Sequence, residues 1–178
     1  MIESVPQVED RSRSNLRGAL LVLTLFTVLT FINSLHDALV FDDAFFLGPE
    51  REIVLENLSD AFSRDLWNTD GELYRPLLSI DFELQNRMFG DWLEGYHLMN
   101  VLLHLVTTLV LFGFLRSLIR SVCPDSENYE FFALLAALVF AVHPVHTEVV
   151  NSVFNKSSMY VSLAAVSGLW WLHSKLHR

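Results

Sequence analysis

An all-helical integral membrane protein is the fold class this sequence predicts, and three observations carry the prediction. The 178 residues are 52% hydrophobic, with a mean hydropathy of +0.35. The apolar residues are gathered into blocks instead of recurring at the short intervals of a soluble core. Basic flanks alternate along the chain with one long acidic stretch. The expected architecture is about four transmembrane helices, with amphipathic interfacial helices in the first outer loop.

Residues 1–17 are polar and carry Arg11, Arg13 and Arg17, as a cytoplasmic tail does. The apolar run Gly18–Leu35 is about eighteen residues, long enough to span as a helix. It is longer than the apolar region of a typical signal peptide. Asn33-Ser34-Leu35-His36-Asp37 also lacks a small-residue cleavage site, so the first span is read as uncleaved. Residues 36–95 form the outer loop, with fourteen acids against four arginines. Inside it, Ile53-Val54, Leu58, Phe62 and Leu66 recur at roughly helical spacing, with Trp67 closing the run. Pro76 can open a second helix in which Leu77, Ile80, Leu84 and Met88 form one stripe, and Gly90 marks its stop. These stripes either pack against each other or lie along the membrane interface and shape a site above the spans.

Residues 96–178 hold the remaining spans. The second is expected from about Tyr96 to Leu118. Phe131–Val142 is short for a span, and reaches spanning length only by continuing through His143-Pro144 to about Val150, with Pro144 as a kink. The fourth is expected over Ser157–Leu172, with Trp170 and Trp171 at an interface. Arg116, Arg120, Lys175 and Arg178 complete the basic flanks, which places both termini inside. The acidic loop and the 143–155 connection then lie together on the non-cytoplasmic side. A net charge of −9 argues against nucleic acid as a partner, because its phosphates would be repelled. Cys123 is the only cysteine, so no intrachain disulfide and no Cys-rich metal knuckle can form.

Three polar constellations stand out from this apolar background. Asp42-Asp43 follows the first span closely; one carboxylate of such a pair can act as a base while the other orients it, or both are simply solvated. In the second span His97, Asn100 and His104, with Thr107 or Thr108, fall on one helical face. Such groups either line a bundle interior or wet cavity with a function, or join spans by hydrogen bonds. His143-Pro144-Val145-His146-Thr147-Glu148 offers two imidazoles and a carboxylate. Zinc ligation is conceivable, but Pro144 disturbs the helix a ligand pair needs, and donation to a phosphate is at least as natural. No metal or other cofactor is therefore expected, a divalent ion being a disfavoured option. Arg75 and Lys156 are further cations suited to a phosphate, Arg75 being equally able to balance neighbouring acids. Asn57-Leu58-Ser59 and Asn155-Lys156-Ser157 match the short glycosylation acceptor pattern.

Four segments in order carry a family resemblance. They are Phe41-Asp42-Asp43, Tyr74-Arg75-Pro76-Leu77, Tyr96-His97-Leu98-Met99-Asn100-Val101-Leu102-Leu103-His104, and Phe140-Ala141-Val142-His143-Pro144-Val145-His146-Thr147-Glu148. Together they resemble the N-terminal membrane region of the transmembrane and TPR-repeat-containing O-mannosyltransferases and their bacterial relatives, which are GT-C glycosyltransferases. The likeness covers nearly all of the chain after residue 17. It implies transfer of a sugar, mannose in the animal members, from a polyprenyl-phosphate carrier to a hydroxyl acceptor such as a protein Ser or Thr. It also implies that Asp42 or Asp43 is the catalytic base, with Asp42 preferred. Arg75, His97, Asn100, His104, His143, His146, Glu148 and Lys156 are the residues expected to bind substrate or phosphate. Where the family has a Gly-Arg pair followed by an acid, this chain has Asn155-Lys156-Ser157-Ser158, which keeps a cation and lacks the arginine fork.

GT-C cores have many more spans than these, so by resemblance the chain holds the first part of a catalytic domain. The expected partners are a lipid-linked sugar donor, the bilayer, and C-terminal spans or a membrane protein that supplies them. The expected membrane is a bacterial plasma membrane or the endoplasmic reticulum. The alternative is a short non-catalytic membrane protein that binds a polyprenyl phosphate or a membrane partner.

Overall fold

A computed structural model describes residues 5–36, 42–43, 47, 58–63 and 74–177, with residues 5–14 and 58 described at the backbone only. Among the described residues the regular structure is helical throughout. The helices are α1 (Val5–Phe31), α2 (Pro76–Phe89), α3 (Leu93–Val122), α4 (Tyr129–Val142), α5 (Thr147–Asn151) and α6 (Ser157–Leu176). Short 3-10 turns occupy Ile32–His36, Leu58–Phe62, Pro144–His146 and Phe154–Lys156. The stripe expected over residues 53–67 lies outside the described residues except at Leu58–Phe62.

Two described helical stretches, Asn15–His36 and Leu93–Val122, are long and apolar enough to cross a membrane. The count becomes three if the bent pair Tyr129–Val142 and Pro144–Asn151 is taken as one span. About four spans were expected. The difference lies in α6, a 20-residue helix whose Ser157, Ser158, Ser162, Ser167 and Ser174 dilute its apolar character.

The chain forms two compact units. The first comprises Met1–Thr30, Leu103–Pro144 and Ser162–Arg178. Its core gathers Ala19 and Leu23 of α1, Phe112 of α3, and Ala133 and Ala137 of α4. Ala133, Ala137 and Ala141 recur every four residues and are all fully buried. A face of small side chains lets helices approach closely where apolar burial alone gives little drive. Thr24, Thr27 and Thr30 turn their hydroxyls back onto the carbonyls of Leu20, Leu23 and Phe26, at 2.7 to 2.8 Å. Each hydroxyl is thus satisfied within its own helix, as apolar surroundings require. At the α3–α4 connection, Arg116 donates to Glu130 Oε1 from both Nε (2.8 Å) and Nη2 (2.6 Å). Cys123 is exposed in that connection.

Gly113 of α3 lies against the indole of Trp170, and an added Cβ would come within 2.4 Å of that ring. The indole also borders a cavity of about 440 Å³, so it has somewhere to move. Gly113→Leu should therefore cost about 1–2 kcal/mol, overpacking outweighing a helix-propensity gain of about 1 kcal/mol. Thermal melting in detergent checks this. Adding Trp170→Ala should recover much of the loss, and equal melting of wild type and Gly113→Leu would contradict the contact.

The second unit comprises Phe31–Leu102 and Val145–Val161. Its core contains Leu47, Leu78 and Phe82 of α2, Tyr96 of α3, and Val153 and Phe154. α2 opens with Pro76 in its first turn and stops before Gly90, whose φ of 54° is a conformation glycine adopts freely. The face of α2 that packs is Leu78 and Phe82, one turn apart. The neighbouring stripe of Leu77 (68% exposed), Leu84 and Met88 (68%) stays uncovered among the described residues.

Candidate functional site

The second unit is organised around the turn from Val150 to Ser157. α5 ends at Asn151, Ser152 is extended, and the chain then enters the 3-10 turn Phe154–Lys156 that leads into α6. A break of this kind leaves backbone amides and carbonyls without helical partners, and buried ones must find others. Side chains from two distant segments supply them, and a third segment engages the side chains of the turn.

The first is Asp43, which is fully buried. Its Oδ1 accepts from the Phe154 N–H at 2.8 Å and from Ser152 Oγ at 3.1 Å. Its Oδ2 accepts from the Val153 N–H at 3.1 Å. Three donors on one carboxylate offset much of the cost of removing it from water. Asp42, its chain neighbour, is only half-buried. The adjacent acids thus stand in different surroundings, one spent on the turn and the other half-buried beside it.

The second is Asn100 of α3, whose Nδ2 donates to the carbonyls of Val150 (3.0 Å) and Ser152 (2.9 Å). Among the described residues its Oδ1 is buried without a hydrogen-bond partner.

The third is α2 with its leading residue. Lys156, 1% exposed, sits with Nζ 2.9 Å from Asp81 Oδ2 and 5.1 Å from the centre of the Phe82 ring. Gln85 Nε2 donates to both Asp81 oxygens at 2.7 Å. Burial pushes the Lys156 ammonium below its ordinary 10.5, while the Asp81 and Asp43 carboxylates pull the other way. Arg75 extends Nη1 to Ser157 Oγ at 3.3 Å and lies 5.4 Å over the Phe154 ring.

Asp43, Asn100, Asp81 and Arg75 therefore all engage one turn. His97, Asn100, His104, Thr107 and Thr108 are all buried along α3. In the first unit, His104 Nε2 lies 3.0 Å from the carbonyl of Ala141 and its ring stacks on Phe140. That carbonyl belongs to the last turn of α4, which ends at Val142 just before Pro144, so His104 takes the place of a missing helical donor. His143 and Glu148 are exposed and His146 is half-buried. Among the described residues no group of three or more His, Cys, Asp or Glu side chains is arranged to hold a metal ion. Ser152, Asp81 and Gln85 were not anticipated from the sequence. The available signal for Asp81 was its polarity between the apolar Ile80 and Phe82, whereas Ser152 follows Asn151 and Gln85 precedes Asn86, so neither stands out.

Apolar helices of spanning length together with a buried polar site define an integral membrane protein. Its curated homologues are the TMTC-family protein O-mannosyl-transferases, of the GT-C type. A protein O-mannosyl-transferase of Caenorhabditis elegans is 28% identical over 177 residues, covering 90% of this chain and 24% of that protein. The human protein O-mannosyl-transferase TMTC4 is 30% identical over 82% of this chain and 21% of its own length. The tmtc2 protein of Xenopus laevis is 31% identical over 84% of this chain and 17% of its own length. The chain thus spans less than a quarter of the length of these relatives. No family model matches it, and no solved structure matches it.

Proposed function

We propose that this chain carries the catalytic carboxylate of a membrane glycosyltransferase that moves mannose from a polyprenyl-phosphate carrier to a hydroxyl, such as that of a protein Ser or Thr. The observation that carries this reading is the asymmetry of the acidic pair: Asp43 is buried and spent on the 152–154 turn, and Asp42 beside it is only half-buried. A general base needs that combination, a carboxylate accessible to substrate on a backbone that is held in place. Asp42 takes the proton of the acceptor hydroxyl as its oxygen bonds to the sugar C1. The bond from C1 to the phosphate oxygen breaks, and the polyprenyl phosphate leaves with the electron pair.

Arg75 is the cation best suited to the departing phosphate, because among the described residues its guanidinium meets only Ser157 Oγ and the Phe154 ring. His97, His143 and His146 are further donors of this kind. Asn100, His104, Glu148 and Lys156 belong to the same reading as residues that shape the binding region. Four spans, with both termini and the Arg- and Lys-rich connections on the cytoplasmic side, place the acidic loop on the outer or lumenal face. The uncovered Leu77, Leu84 and Met88 stripe of α2 then rests in the membrane interface, where a lipid-borne donor arrives. The membrane is the endoplasmic reticulum or a bacterial plasma membrane.

The test uses the full-length polypeptide containing this chain, purified and reconstituted in vesicles. Polyprenyl-phosphate mannose labelled in the sugar is supplied with a Ser- and Thr-rich acceptor peptide. Label should appear on a hydroxyl of the peptide; no transfer from this or any other polyprenyl-linked sugar would remove the reading.

A further inference from the structure

We infer that Ser152 is a positioning residue for the acidic pair, a role that rests on the assignment of Asp42 as the base. Ser152 faces both ways. Its hydroxyl donates to Asp43 Oδ1 at 3.1 Å and accepts from the Asn155 N–H at 3.3 Å. Its own carbonyl accepts from Asn100 Nδ2 at 2.9 Å. It is buried, and its backbone is extended, with φ −90° and ψ 127°.

The consequence runs along the chain. Asp42 is joined to Asp43 by a planar peptide whose ends are held about 3.8 Å apart. Where the Asp43 carboxylate is pinned, the position of Asp42 is confined. The Val153 and Phe154 amides fix that carboxylate from one direction, along the backbone of the turn. Ser152 Oγ fixes it from a second, and couples the setting to the closure of the turn through Asn155. Without the hydroxyl the two amide bonds remain, so the chain still folds around Asp43. The carboxylate then gains freedom to pivot, and Asp42 pivots with it.

Orientation is where such freedom is felt, because a displacement of about 1 Å at a reacting group can cost a factor on the order of a hundred. Ser152→Ala in the full-length polypeptide should therefore lower kcat for sugar transfer by roughly ten- to a hundredfold and change the KM for the lipid-linked donor less than about twofold. Ser152→Thr should restore most of the rate, since the extended backbone accepts a β-branched residue and the hydroxyl is kept.

A second readout needs no turnover. Hydrogen exchange at the Val153 and Phe154 amides should quicken by at least about fivefold in Ser152→Ala and return towards the wild-type rate in Ser152→Thr. Unchanged exchange in Ser152→Ala would overturn the clamp. Altered exchange with unchanged kcat, or a loss confined to KM, would overturn the positioning role. If the wild-type protein transfers no sugar, the proposed function fails by itself, and exchange at Val153 and Phe154 still decides whether Ser152 sets the turn.

Discussion

Replacing Asp42 with alanine in the full-length polypeptide should lower the rate of sugar transfer by about two to four orders of magnitude, the range a positioned general base contributes. The melting temperature should move by no more than about a degree or two, because a half-open loop carboxylate contributes little to stability. Asp43 gives the contrasting result. Asp43→Ala orphans the Ser152 hydroxyl and the Val153 and Phe154 amides together, and should cost roughly 2–4 kcal/mol of stability as well as activity. Transfer measured beside thermal melting separates the roles. Full activity in Asp42→Ala would assign the base elsewhere, and equal melting losses in the two variants would deny the difference in their surroundings.

The largest effect on stability is expected at Lys156. Truncation to alanine leaves the Asp81 carboxylate without its cation, beside Gln85 and the Tyr160 hydroxyl, and empties a fully buried position, at a cost of about 3–5 kcal/mol. Lys156→Met combined with Asp81→Asn keeps the volume, removes both charges and leaves Gln85 a partner. That pair should regain most of the loss, and strictly additive destabilisation would contradict a direct interaction. The pH dependence has a definite sign. With its proton affinity lowered by folding, Lys156 binds its proton more readily in the unfolded chain. Its contribution to stability is therefore complete above the ordinary 10.5 and declines as pH falls through the lowered folded value. Melting curves at increasing alkaline pH should show this component in the wild type and lack it in Lys156→Met.

Local features of this fold could be read directly, because they depend on composition over a single helix. The apolar run at residues 18–35 falls inside the helical stretch Asn15–His36, and the run at 96–118 inside Leu93–Val122. Pro76 and Gly90 bracket α2, each acting on its own backbone geometry. The kink expected at Pro144 is present as a full break: α4 ends at Val142, and the path bends by 44° into Pro144–Asn151. The choice of packed face on α2 was not readable: Leu77 and Leu78 are equally apolar, and the tertiary partners of Leu78 select it. The partners in the candidate site were hidden for a related reason. Lys156 looks like a free cation until Asp81 is seen beside it, 75 residues earlier in the chain. Ser152 has no motif at all, and only its meeting with Asp43 gives it meaning. The acidic pair was visible, while the difference between its two members is a property of burial that adjacent identical letters cannot express.

The separation between Asp43 and the amides that receive it also sets an order of events during synthesis. Its donors follow it by 109 to 111 residues. Chains are made from the N-terminus, so Asp43 leaves the ribosome well before anything exists to receive it. Docking a carboxylate in an apolar interior without donors is unfavourable, and the early chain therefore keeps the acidic pair in water. Only when residues 152–154 arrive does burial become favourable, and the delay costs little because loop closure rises slowly with length. The last-made segment of the second unit thus acts as a timer, keeping the acidic pair undocked until the turn that receives Asp43 has been made.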